Sequence, residues 1–93
     1  MSNTRLAVEN PAVRRIAAAL GLTVTTDQEG KDNAETDTGI VIESRYFVGD
    51  TLIIRQRAVD VLGFGCRNWY VNGEEFGGPS EAFGAVAHAL RNA

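Results

Sequence analysis

The chain has 93 residues, 44% apolar and 23% charged, which fits one globular domain and argues against wholesale disorder. No stretch approaches the roughly 20 apolar residues of a membrane-spanning helix, and a single cysteine with a single histidine excludes a zinc cage or an internal disulfide. The net charge of −3 is unevenly spread: Thr26 to Asp37 holds Asp27, Glu29, Asp32, Glu35 and Asp37 against Lys31, a sum of −4, which leaves +1 elsewhere.

In chain order, residues 1–9 read as a lead-in and 10–93 as one domain. Leu6 and Val8 alternate, which fits either a short edge strand or a frayed start. Asn10 is placed to cap a helix whose first position, Pro11, lacks an N–H that would be unpaired there anyway. Val13, Ile16, Ala17 and Leu20 follow at helical spacing, and Gly21 is the expected left-handed stop. Leu22 to Thr26 alternates and is β-branched, so a short strand is expected. From Asp27 to Thr38 Ala34 is the one apolar residue, which predicts a solvated acidic loop over 27–38.

Ile40–Val48 and Leu52 to about Val61 read as two strands joined at Gly49-Asp50. A two-residue loop would set Ile42 opposite Arg57 and Glu43 opposite Gln56, mixing polar and apolar residues on both faces. An odd loop pairs Tyr46 with Ile54 and Ile42 with Ala58, giving one mostly apolar face, and burial favours it. The other face then carries Val41, Glu43, Arg45, Phe47, Ile53, Arg55, Arg57 and Val59. Gly63-Phe64-Gly65 permits a sharp turn, and Cys66–Val71 is a further strand. Asn72-Gly73 is the strongest hairpin dipeptide in the chain, because both positions need positive φ. Glu74–Phe76 returns as a short strand with Phe76 opposite Trp69. Pro79 opens a second helix with Glu81 in its first turn and Phe83, Val86, Ala87 and Leu90 as its apolar stripe.

These elements predict a two-layer α+β domain, with a three- or four-stranded antiparallel sheet, two helices on one face, and the order α-β-β-β-β-α. The expected core is Val13, Ile16, Leu20, Ile40, Ile42, Tyr46, Ile54, Trp69, Phe83, Val86 and Leu90. The helix, antiparallel strands, helix order, ending in Val71-Asn72-Gly73-Glu74 and Ala85-Val86-Ala87-x-Ala89-Leu90, resembles the layout of a double-stranded-RNA-binding domain over residues 10–91. That family grips phosphates with a basic cluster at the start of its last helix. Here Ser80-Glu81-Ala82-Phe83 stands at that place, so the resemblance implies the layout alone.

The chemistry-bearing residues are sparse. Cys66 and His88 could form a nucleophile and base, but His88 falls off the apolar stripe of its helix and reads as a surface residue. Asp27, Glu29, Asp32, Asn33, Glu35 and Asp37 supply enough oxygens for calcium, yet Gly30 is misplaced and no bidentate Glu follows. Gly63-Phe64-Gly65 lacks the remaining glycine and helix of a phosphate loop. Glu74-Glu75 sits in a turn. The expectation is therefore no catalytic residue, no metal site and no cofactor.

The outer sheet face carries the functional expectation. Arg45, Phe47, Arg55 and Arg57 share it in the favoured register, and Tyr70 joins them if its neighbour Trp69 enters the core, since adjacent strand residues face opposite ways. Arginine and aromatic side chains are enriched at protein interfaces and also suit stacking on unpaired bases. The expected protein is a small non-enzymatic binding module acting on a protein partner or on a second copy of itself. The alternative is single-stranded nucleic-acid binding on the same face; no membrane partner is expected. Met1 to Arg5 leads into no continuous apolar segment, and one thiol suits a reducing compartment, so a cytoplasmic location is expected. Eight of the nine basic residues are arginine and alanine occurs twelve times, a bias of GC-rich genomes. In style the chain resembles accessory proteins of phages that infect such bacteria.

Overall fold

The computed structural model describes residues 5–36, 39–60 and 65–92. It has the elements β1 (Leu6–Ala7), α1 (Pro11–Leu20), β2 (Thr25–Thr36), β3 (Gly39–Val48), β4 (Thr51–Asp60), β5 (Gly65–Val71), β6 (Glu74–Phe76) and α2 (Pro79–Arg91). The strands form one six-stranded antiparallel meander in chain order, with α1 and α2 packed on one face. The α+β class is as expected. The strand count and order are not: the lead-in supplies β1, and the acidic segment is a strand, so the order is β-α-β-β-β-β-β-α. Six strands also exceed the layout suggested by the RNA-binding resemblance.

The helix ends follow their sequence signals. The Asn10 side chain accepts from the Ala12 and Val13 amides at 2.9 and 3.3 Å, Pro11 opens α1, and Gly21 closes it in the left-handed region. In α2, Pro79 is again first, and Glu81 reaches back to accept from the Gly77 amide at 3.2 Å.

The β3–β4 register is the one that burial arguments rejected. Val48 pairs with Thr51, Tyr46 with Ile53, Glu43 with Gln56 and Ile42 with Arg57. The loop is the two-residue Gly49-Asp50, and Gly49 has φ +61°. A two-residue turn with positive φ at its first position alone matches the right-handed twist of a hairpin, and glycine takes that φ without steric cost. At the β5–β6 hairpin both Asn72 (φ 50°) and Gly73 (φ 84°) are positive, as that dipeptide predicts. Phe76 does pair with Trp69.

Turn chemistry thus inverts the faces of β4. Ile53 enters the core and Ile54 stands on the open face, the reverse of the expectation. Of the expected core, Val13, Tyr46, Trp69, Phe83 and Val86 are buried, and Ile16 and Leu20 pack against it. Ile42 and Ile54 are only half-buried. Ile40, in the half of β3 beyond the core residues, is 37% exposed, and Leu90, in the last turn of α2, is 53% exposed. Val8, Val48 and Val71 fill the core in their place. At its centre Tyr46, Trp69 and Phe83 form an aromatic triad with centroids 5.9, 6.0 and 5.8 Å apart, one pair stacked and two edge-on. Trp69 is 2% exposed, and its indole N–H has no hydrogen-bond partner among the described residues.

The predicted acidic loop is a bulged edge strand. β2 pairs with β3 from Thr25 to Thr36 with three register shifts, and β1 covers only Thr25 and Thr26 on its other side. Side chains replace the ladder bonds that the bulges break. The Thr26 hydroxyl lies 2.6 Å from the Arg45 carbonyl and 2.9 Å from that of Gln28, the Gln28 amide donates to the Glu43 carbonyl, and the Gly30 amide donates to Ser44 Oγ at 2.7 Å. Charge and bulging are ordinary protection for an exposed edge, which gives the acid of this segment a structural role.

Candidate functional site

Alternation along the observed register sorts the candidate residues onto two faces. Arg45, Phe47 and Tyr70 stand on the outer face with Leu52, Ile54, Gln56 and Asn68. Arg55 and Arg57 are on the helix-bearing face, where Arg55 is opposite Ser44 and Trp69, and Arg57 is opposite Ile42 and Arg67. The expected five-residue patch is therefore two sites. Arg67 belongs to the second one and was not singled out from sequence. Only its register opposite Arg57 reveals it.

On the outer face Arg45 is held in place. Its Nε donates to Asp27 Oδ1 at 3.1 Å and its Nη2 to Gln28 Oε1 at 3.0 Å. This pair is partly solvated, so it orients the guanidinium more than it stabilises the fold. Phe47 is capped by Arg5, whose guanidinium carbon lies 3.6 Å from the ring centroid. The Tyr70 hydroxyl accepts from Asn68 Nδ2 at 3.1 Å and donates to Glu75 Oε1 at 3.4 Å, which fixes the ring from its tip. Beside it is an open hollow of about 270 Å³ lined by Leu52, Ile54, Gln56, Tyr70, Asn72 and Gly73. Glu43, 8% exposed, lies between Gln28 and Gln56, which donate to its two carboxylate oxygens at 3.4 and 3.3 Å. Glu43 and Arg57 stand on opposite faces, because Glu43 pairs with Gln56 and Arg57 with Ile42.

On the other face the helices cover Tyr46, Val48, Ile53, Trp69 and Val71 and stop short of the far half of β3, β4 and β5. There Arg57, Arg67 and Ile40 are exposed, and Arg55, Ile42 and Val59 are half-buried. Among the described residues no carboxylate pairs with Arg55, Arg57 or Arg67. Burial first, and then the charge of Arg67, pull the Arg55 guanidinium below its ordinary pKa; Tyr46 opposes this, and Arg57 adds the least.

The remaining candidates are dispersed. Glu29, one of the acidic oxygens weighed against calcium, ties β2 to the start of α1: Oε1 accepts from the Glu9 amide at 2.7 Å, and Oε2 from the Asn10 amide at 3.1 Å and from the Tyr46 hydroxyl at 3.0 Å. Asp27 serves Arg45. Asp37 and Gly63-Phe64 lie outside the described residues, as do the side chains of Asp32, Asn33, Glu35 and Cys66. His88 is exposed and contacts Asn92 in the last turns of α2, whose neighbours Ala89 and Leu90 line a hollow with Thr51 and Asn72. Cys66 pairs with Ala58, seven residues along β4 from Thr51, a span of about 23 Å at strand rise. The fold holds the two ends of that candidate pair apart. No protein-family model, curated protein or solved structure matches the chain.

Proposed function

We propose that the protein is a small non-enzymatic binding module that engages another protein chain through its outer sheet face. One observation carries the reading: both helices lie on one side of the sheet, so the cross-strand pair Ile54–Tyr70, with Leu52 beside it, forms an apolar surface with no layer over it among the described residues, and Arg5 caps Phe47 at its margin. Arg45 and Tyr70, residue types enriched at interface centres, are already held in place there, so little side-chain entropy is lost on binding. The sheet edges suit partnering poorly, since β6 has three residues and β2 is bulged and acidic. The single cysteine accords with a reducing cytosol. Single-stranded nucleic acid fits this face less well, because Phe47 is covered by Arg5 and two of the expected arginines lie on the other side.

The test compares wild type with Ile54→Glu and Tyr70→Ala, and with Arg14→Glu on the exposed side of α1 as a control. Sedimentation over a wide concentration range reports self-association, and cross-linking capture from source-cell extract reports other partners. A complex kept by the control and lost in both face variants supports the proposal. Identical behaviour of all four chains overturns it, and retention of an oligonucleotide at low salt through Tyr70 replaces it with the nucleic-acid reading.

A further inference from the structure

The uncovered half of the helix-bearing face has a charge arrangement that folding alone does not explain. Arg57 and Arg67 are direct cross-strand partners, which sets their Cα atoms about 4.5–5.5 Å apart. Arg55 is two residues from Arg57 on the same face, about 7 Å along the strand. Like charges directly opposite each other destabilise a sheet. On the outer face, by contrast, Arg45 is paired with Asp27. Here none of the three has a carboxylate partner among the described residues. Partial burial, and then the like charge of Arg67, already depress the Arg55 pKa.

We propose that Arg55, Arg57 and Arg67 form a binding site for a compact, multiply charged phosphate group, either free or carried on a small molecule. Each guanidinium offers a planar fork of N–H donors, and three such forks at neighbouring positions of one sheet face suit the several oxygens and multiple charges of a phosphate or pyrophosphate. A single carboxylate, with one charge and two oxygens, leaves at least one fork unused. The surroundings limit the ligand's size. Ile40, Ile42 and Val59 border the cluster on the same face and offer no side-chain donors. A chain of net charge −3 lacks the basic excess with which proteins hold a nucleic-acid backbone. The site is on the opposite face from the proposed protein-binding surface, so either can stand without the other.

Trp69, the chain's one tryptophan, is opposite Arg55 and two residues from Arg67, so its emission reports on this spot. Wild type, Arg57→Ala, Arg67→Ala and the opposite-face control Arg45→Ala are titrated with sodium pyrophosphate, inorganic phosphate and ADP at matched ionic strength. Fluorescence, calorimetry and arginine side-chain NMR follow binding. The expected result is saturable binding of pyrophosphate, weakened about tenfold or more in Arg57→Ala and in Arg67→Ala and unchanged in Arg45→Ala. Inorganic phosphate binding as tightly as ADP assigns the site to the free ion, and tighter ADP binding assigns it to a carried group. Both results support the proposal. Circular dichroism and melting curves confirm that the variants fold; removing a like charge leaves the melting temperature equal or higher. No saturable response, or an equal response in all four chains, overturns the site. Tighter binding of an oligothymidylate than of pyrophosphate through the same arginines overturns the compact ligand.

Discussion

Ile53 is fully buried beside Tyr46, whereas Ile54, the next residue, stands on the uncovered face between Arg45 and Tyr70. The two differ by one step of the pleat, yet one belongs to the hydrophobic core and the other to an open surface. The same alternation separates Arg45 from Arg55 and Arg57. On the outer face Arg45 has Asp27 and Gln28 for partners. On the helix-bearing face the arginines are set against each other. The contrast shows that neighbouring, chemically alike residues of a two-sided sheet acquire their roles from register.

The sharpest way to break this comparison is a pair of truncations. Ile53→Ala should cost about 2–5 kcal/mol and Ile54→Ala about 1 kcal/mol or less. Equal costs in urea melts, or the reverse order, would refute the observed register. Next in size is Glu29, which joins β2 to α1 through two backbone amides and the Tyr46 hydroxyl. Glu29→Ala should lose about 1–3 kcal/mol, while Glu74→Ala, in the exposed end of β6, should lose almost none.

A third test uses pH. Burial, and then the hydrogen bond and negative charge of Glu29, push the Tyr46 phenol from 10.0 up to about 12. The fold therefore favours the protonated phenol. That contribution is intact below pH 10 and is lost as pH rises from 10 toward 12. The urea midpoint of wild type should fall more steeply across that interval than that of Tyr46→Phe. The smallest effect belongs to the arginine pair. Arg67→Glu places opposite charges across β4 and β5 and should raise stability by about 0.2–1 kcal/mol in thermal melts, where Arg45→Glu should not. A stabilised Arg67→Glu that no longer binds pyrophosphate would show that the native cluster holds charge at the expense of stability.

Much of the fold was legible in local chemistry. Asn10-Pro11, Gly21, Asn72-Gly73 and Pro79 mark their caps and turn because each residue type satisfies a backbone need that few others meet. The helix stripes were legible for the same reason. The register of β3 and β4 was not, because these strands are apolar on both faces: Val41 and Ile42, Ile53 and Ile54, Ala58 and Val59 offer two solutions of similar hydrophobicity. Gly49, with its positive φ, decided between them, and a burial argument cannot see that. The acidic strand was misread because its pairing is bulged and stabilised by Thr26, Gln28 and Ser44, which leave no periodic signal. The candidate site inherited the register error. Five residues expected on one patch became three and two, and Arg67, an ordinary residue in sequence, completes the second group only once β4 and β5 are aligned.

The edges of the sheet carry one more consequence. A regular, uncovered strand recruits the next chain by backbone pairing, and repetition of that step makes a fibril. Here β6 presents three residues and β2 shifts register three times under a negative charge, so a newcomer meets a short ladder at one side and a broken one at the other. Neither side of the meander offers a long regular ladder for a further strand. In so open a sheet, the irregularity of the strands at its two sides is what opposes edge-to-edge growth.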